Sequence, residues 1–376
     1  MEIIDFYFFI PFFCLLILIF NVTINILWGP YLKKIKINLQ SYPKVSILIP
    51  ARNEENNIKK VIESSLKQNY PSFEVIVLDD NSTDKTYEIA RNYEATNSNF
   101  KIIKGEKLPD GWFGKNWACY QLANNASGET LIFTDADNFF ENDAVIKTVS
   151  ILKQYDLDMF SVFPQQITTT FWEKLIIPII DLIVYSGLIL KTSYYFPFSL
   201  FAAANGQWIA FKKSSYEELG GHSSVKNQIV EDVALARFFK KNKKKILVGA
   251  GTGVIYGKMY DNFKHIWSGL SKNLFGLTDF KTIPFFIILI LMLLVCVVPY
   301  FLLFTLTNYF ILILFIIILN IIWRVLLAIN FKHNILYSTL LHPISILLIT
   351  IIGINSFLKS KFGVLSWKER EIILKK

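Results

Sequence analysis

The chain has 376 residues, of which 53% are hydrophobic and 15% aromatic, and its 39 Lys and Arg outnumber 30 Asp and Glu for a net charge of +9. So apolar a composition exceeds the needs of a soluble domain and predicts a packed domain with several membrane spans. The positive charge is scattered and gathers beside apolar runs, which suits an anionic lipid surface; no nucleic-acid recognition motif accompanies it, and the three separated cysteines (Cys14, Cys119, Cys296) form neither a disulfide framework nor a Cys/His metal site.

The first element is the uncharged run Phe6 to Trp28, long enough to span a bilayer as a helix. It lacks a basic leading region and exceeds the apolar core of a signal peptide, so residues 1–32 are expected to be an uncleaved anchor. Lys33, Lys34, Lys36 and Lys44 follow it and place the next region in the cytoplasm.

From residue 44 onward, β-rich runs alternate with helical stretches. "VSILIP" (45–50), "EVIVLDD" (74–80), "FKIIKG" (100–105) and "TLIFTDAD" (130–137) read as strands, with helices near 54–68, 84–96 and 115–127. The pattern predicts an α/β domain over 44–275 built on a doubly wound, mostly parallel sheet. Ligands of such sheets bind beyond the carboxyl ends of the strands, and those ends carry Glu54, the pair Asp79 and Asp80, and the pair Asp135 and Asp137. Singly, each cluster reads equally well as a solvated turn or an N-cap. Two adjacent like charges such as Asp135 and Asp137 raise each other's pKa unless a cation neutralises them. Three acidic clusters at successive strand ends point to a site.

Further along, "FWEKLIIPIIDLIVYSGLIL" (171–190) is nearly all apolar and is expected to be an interfacial helix or a helix low in the domain, with a core helix as the equal alternative. "VGAGTGVIYG" lacks the spacing of a dinucleotide fingerprint and reads as a close-packed or hairpin region. "VEDVALARFF" opens a helix with Glu231 and Asp232, which on local grounds are acids favouring its positive end. The uncharged stretch Thr282 to Trp323 suits a helical hairpin turning near 305–309, and Ile335 to Leu358 is interrupted only by His342, giving C-terminal membrane helices over 282–358 and a basic tail over 359–376. Three spans after a cytoplasmic domain would leave Lys359, Lys361, Lys368 and Arg370 outside, against the positive-inside rule, so one run, the one containing "LLHPIS", is expected to lie in the interface or re-enter.

"SILIPARNEENNI", "VLDDNSTDKT", "GWFGKNWACYQLA", "FTDADNFF", "GGH", "VEDVALARFF" and "GLSKNL" together resemble the motif series of membrane-associated family-2 glycosyltransferases with a GT-A fold, in the branch that includes hopanoid-associated and carotenoid (diaponeurosporenoate) glycosyltransferases. The tail "FGVLSWKER" matches in part, with Glu369 where many relatives have glycine. The broader family's QxxRW motif is absent; "GLSKNL" stands near its place, which speaks against processive polymer synthesis.

The resemblance implies a nucleotide-sugar donor, by default a UDP-hexose, and a divalent cation, Mg2+ or Mn2+. Asp137 would be the metal ligand, with Asp135 against the metal's water shell or the ribose; Asp oxygens suit such a hard cation. Asp80 and Asp79 would read the base, Ala51 and Glu54 would lie near base and ribose, and Lys115 would approach base or phosphates. Lys115 begins a helix, where its charge opposes the dipole and favours a nearby anion. Inverting transfer needs a base, with Asp232 first and Glu231 the alternative. Lys272 would neutralise the leaving diphosphate. The acceptor would be a membrane lipid or terpenoid, glycosylated once by an integral cytoplasmic-membrane enzyme whose catalytic domain faces the cytoplasm. A polyprenyl-phosphate glycosyltransferase and a catalytically inactive sugar-nucleotide-binding protein are the alternatives. A transporter would show repeated, broken spans, and an NAD-dependent enzyme the glycine fingerprint.

Overall fold

β1 (Val45–Ala51) is a run of apolar and β-branched residues buried on both faces, as the centre of a parallel sheet requires. It pairs in parallel with β2 (Phe73–Asp79), so that Ala51 stands opposite Asp79, and β2 pairs in parallel with β3 (Phe100–Lys104). On its other side β1 pairs with β4 (Thr130–Thr134). The computed structural model describes residues 3–363, 365–367 and 370–372; Lys368 and Glu369 of the tail motif lie outside them. β5 (Asn138–Phe140) follows β4 directly, then β6 (Met159–Phe163), β7 (Gln165–Gln166), β8 (Trp208–Lys212), β9 (Ile246–Ala250) and β10 (Ile255–Gly257). The seven-stranded sheet runs β3-β2-β1-β4-β8-β6-β9, with β8 antiparallel to both neighbours, and a small sheet runs β5-β10-β7.

Alternation along the strands feeds two cores. Ile47, Ile49, Val75 and Val77 belong to the layer with helices Ile58–Leu66 and Ala144–Gln154, whereas Leu48, Ile76 and Leu78 face helices Gly114–Asn125 and Glu231–Lys241. The first helix starts at Ile58, later than the expected 54, because the backbone N–H of Glu54 donates to Thr86 Oγ1 at 2.7 Å and Asn57 Nδ2 donates to Glu54 Oε2 at 2.8 Å, holding 54–57 as a loop. Strand β4 ends at Thr134, which leaves Asp135 and Asp137 in the turn beyond it.

The chain divides into two units: an α/β unit of residues 29–167 and 190–259, and a helical unit of residues 1–28, 168–189 and 260–376. Among the described residues the helical unit has three helices long and apolar enough to cross a membrane, Phe8–Trp28, Phe310–Phe331 and His342–Phe362, and a fourth candidate pair, Phe263–Thr278 with Thr282–Cys296, bent by 113°. Phe8 lies against Tyr309 and Phe12 against Phe315, so the first and the Phe310–Phe331 helices run parallel. The 171–190 segment packs here as the helices Phe171–Ile176 and Pro178–Gly187, not low in the α/β unit. Asn25 Nδ2 donates to the carbonyls of Tyr185 and Leu188, and Asn21 Nδ2 to that of Ser186, so the two asparagines of the first span satisfy the end of this helix.

Candidate active site

Four of the expected site residues meet in one pocket of the α/β unit. Lys115, in the first turn of helix Gly114–Asn125, places its Nζ 2.8 Å from Asp135 Oδ1 and 3.0 Å from Glu231 Oε1. Glu231 and Asp232 open the helix Glu231–Lys241, and Asp232 Oδ2 accepts the backbone N–H of Gly206 at 2.7 Å while Oδ1 accepts that of Val233 at 2.8 Å. Burial, then the neighbouring Glu231 carboxylate, pushes the Asp232 carboxyl up to about 7, against the opposing pull of Lys115 and the two amides. Burial opposes the Lys115 charge, but the Asp135 and Glu231 carboxylates hold the ammonium well above the usual lysine range.

Gly206 forms the floor. A Cβ there would come within 3.0 Å of Lys115 Nζ, 3.3 Å of Glu231 Oε1 and 3.5 Å of Asp232 Oδ2, so the backbone approaches the charged cluster only because it has no side chain. His222 completes the wall. Its Nδ1 shares a 2.6 Å hydrogen bond with Tyr216 Oη, which also accepts the His222 backbone N–H, and burial pushes the imidazole down to about 3, so it is neutral. Gly221, at φ +50°, leaves room for the Tyr216 ring, which a Cβ would overlap. Asn116 ties this wall to the lysine's helix, donating from Nδ2 to the carbonyls of Val225, Lys226 and Gln228.

Ala51, Asp79, Asp80 and Asp137 do not line this pocket. Ala51 and Asp79 stand opposite each other at the ends of β1 and β2, and the Asp80 N–H donates to the Ala51 carbonyl at 2.8 Å. Arg52 donates to the Asp80 carbonyl at 2.6 Å, and Asp79 Oδ1 is buried without a hydrogen-bond partner. Asp137 is clamped through its backbone: the Lys258 N–H donates to its carbonyl, and Asn138, next along, donates from Nδ2 to Gln207 O. The glycine-rich stretch thus supplies β9 and the strand that pins the peptide after Asp137. Lys272 belongs to the helical unit, on helix Phe263–Asn273.

Residues 46–212 match the protein family described as Glycosyl transferase family 2. They form a glycosyl transferase family 2 domain. The chain is 31% identical over 246 residues to the 4,4'-diaponeurosporenoate glycosyltransferase of Staphylococcus aureus strain USA300, over 62% of this chain and 61% of that protein, so the match spans less than two thirds of the relative. The fold is shared with the mannosyltransferase PcManGT from Pyrobaculum calidifontis, solved in complex with GDP-Man and Mn2+, at a TM-score of 0.57 and 18% identity, covering 94% of this chain and 96% of that one. The α/β unit carrying the family-2 domain is of the GT-A type.

The donor set of the family-2 domain fits a hard divalent cation. Among the described residues no group of three or more His, Cys, Asp and Glu could hold a metal alone. Two carboxylates in a turn, Asp135 and Asp137, are nonetheless what Mg2+-like ions use when substrate phosphates and water supply the remaining oxygens. Sequence reasoning assigned no role to Gly206, His222 or Asn116, although Asn116 and His222 lie within the quoted motifs "GWFGKNWACYQLA" and "GGH"; Gly206 gives only the signal of the turn dipeptide Asn205-Gly206.

Proposed function

We propose that this chain is an inverting, non-processive glycosyltransferase that moves a hexose from a nucleotide-sugar to a membrane-resident lipid or terpenoid. The observation that carries the reading is the cluster of Lys115, Asp135, Glu231 and Asp232 beyond the carboxyl end of β4, with Asp232 raised to about 7. A carboxyl in that range accepts a proton from an attacking hydroxyl near neutral pH, whereas an ordinary aspartate is too weak a base. Asp232 is accordingly the base, positioned by the Gly206 and Val233 amides, and Glu231 orients Lys115. Ala51, Glu54, Asp79 and Asp80 would hold the nucleoside. Asp137 and Asp135 would hold Mg2+ or Mn2+, which when bound neutralises the donor diphosphate, and Lys272 would add positive charge for the leaving group.

The apolar helices and the basic residues Lys33, Lys34 and Lys36 after the first span support an integral membrane enzyme with its catalytic unit in the cytoplasm. The relative's name supports a carotenoid-like acceptor. Because that name is of a carboxylate, a second reading has an acceptor carboxylate attacking without loss of a proton. One experiment separates the two: detergent-purified enzyme is given labelled UDP-hexoses and GDP-mannose with a terpenoid alcohol or a terpenoid acid. Under the first reading Asp232→Asn binds the donor and transfers nothing. If Asp232→Asn and Glu231→Gln both transfer at the wild-type rate, the carboxylate reading replaces it, and if wild type neither hydrolyses nor transfers any donor, the enzyme assignment fails.

A further inference from the structure

Inside the helical unit, Arg324 is 1% exposed on helix Phe310–Phe331. Its Nε–H donates to the Ser338 carbonyl at 2.9 Å, but its two terminal nitrogens have no hydrogen-bond acceptor. Asp181, the carboxylate whose charge reaches it, is bonded instead to His333 Nε2 at 2.7 Å. Beside it, His342 is 0% exposed, stands edge-on to Trp323 with ring centroids 6.0 Å apart, and has no partner on either ring nitrogen; the Ser338 hydroxyl has none either. Among the described residues the cluster therefore holds a guanidinium whose two terminal nitrogens lack an acceptor, with an unpartnered imidazole and hydroxyl near it.

A buried guanidinium whose terminal N–H groups have no acceptor is costly, and charged groups in membrane segments mark binding sites for this reason. The missing partner has a definable chemistry. The planar fork of arginine matches two oxygens of a carboxylate or phosphate, with a hydroxyl and an imidazole N–H to supplement it. Its depth is definable too. Arg324 lies about 10 Å along the axis from the helix end at Phe331, Ser338 is on the short connecting helix Ile335–Leu340, and His342 is the first residue of the next long helix. Arg324 is thus about 5 Å past the midpoint of the 22-residue helix toward that end, so a headgroup that reaches it is drawn below the interface into the helical unit. Ile335, Leu336 and Leu340 on the connecting helix are exposed, so this six-residue cover presents an apolar outer surface to an amphiphile.

We propose that Arg324, with His342 and Ser338, binds the oxyanion headgroup, carboxylate or phosphate, of a lipid within the helical unit. The proposal is independent of the reaction proposed above. It is tested on the full chain in neutral detergent by thermal shift against oleate, phosphatidic acid, diacylglycerol and inorganic phosphate. Wild type should be stabilised by an anionic amphiphile and not by diacylglycerol or inorganic phosphate, with oleate or phosphatidic acid as the stronger ligand naming the headgroup. Arg324→Gln should weaken the apparent affinity about tenfold to a hundredfold, the range for losing a charge-assisted bond. Should that variant not fold, His342→Ala, which keeps the charge, should show a smaller loss in the same assay. Equal shifts for wild type and a folded Arg324→Gln, stabilisation by inorganic phosphate equal to that by the amphiphiles, or no shift with either anionic lipid would each overturn the proposal.

Discussion

The Lys115 ammonium lies 3.0 Å from Glu231, joining the first turns of two helices whose sequences are more than a hundred residues apart. With Asp135 on its other side, this lysine bridges two carboxylates, and its charge also acts on Asp232. Lys115→Met should lower kcat by about a hundredfold to a thousandfold, the scale for losing one aligned electrostatic group. It should also move the pH–rate midpoint upward, since Lys115 is the charge that pulls Asp232 down. Lys115→Arg should recover the midpoint better than the rate. An unchanged midpoint in the Met variant would show that the lysine does not act on Asp232.

Asp137→Asn should abolish turnover in a protein that remains folded and membrane-bound, and EDTA should do the same to wild type. Addition of Mn2+ should restore the chelated wild type but not the variant. The readout is transfer of labelled sugar; full activity of the variant in metal-free buffer rejects the assignment.

The raised carboxyl of Asp232 ties stability to pH. The native state holds this proton up to about 7, whereas the unfolded chain releases it near 4, so between these values the native state binds more protons and stability falls as pH rises. The penalty is absent below about pH 4 and complete above 7, and is on the order of a few kcal/mol. Asp232→Asn, which carries no charge at any pH, should therefore unfold at a higher temperature than wild type above pH 7, with the difference shrinking toward pH 4. The comparison is made in detergent without donor or metal, and a difference independent of pH means that the carboxyl is not perturbed.

The last long helix, His342–Phe362, is expected to lie along the membrane face. At one end His342 meets Trp323, and at the other Phe357 meets Phe275 and Phe286, while Asn355 Nδ2 donates to Ser271 Oγ at 2.7 Å and the Phe275 N–H to Ser356 Oγ at 3.0 Å. If the chain crosses outward after Thr282 and returns through Phe310–Phe331, Phe286 and Trp323 are on one side, and a helix touching both does not cross. That puts Lys359 and Lys361 with Lys33 and Lys34, as the positive-inside rule asks. In a background with Cys14, Cys119 and Cys296 changed to Ser, Phe362→Cys and Lys36→Cys should react with an impermeant maleimide from the same side of sealed vesicles. Labelling from opposite sides makes this helix a span.

The strands were legible because buried parallel strands need unbroken apolar runs, as in "VSILIP" and "EVIVLDD", and because Asp, Asn and Gly punctuate them. The acidic clusters were legible from their order along the chain. Gly206 and Asn116 were not, because their roles come from what the fold brings opposite them, three charged side chains in one case and three loop carbonyls in the other. Hydropathy likewise left the 171–190 helix between membrane interface and domain core. Its place is decided by Asn21 and Asn25, two polar residues within a run that composition reads only as apolar. Arg324 marked the end of an uncharged stretch in the sequence, whereas the helix continues past it to Phe331.

The chain leaves the α/β unit at Ile167, makes two helices in the helical unit and comes back at Leu190. The α/β unit is therefore not a contiguous gene segment, and trimming both ends of the reading frame does not isolate it from the apolar helices. Such a product would still carry the Phe171–Gly187 helices but would lose the hydrogen bonds from Asn21 and Asn25 to their last carbonyls. A protease that removed the first helix would have the same effect, so its loss is a route to an insoluble protein rather than to a shed, soluble one.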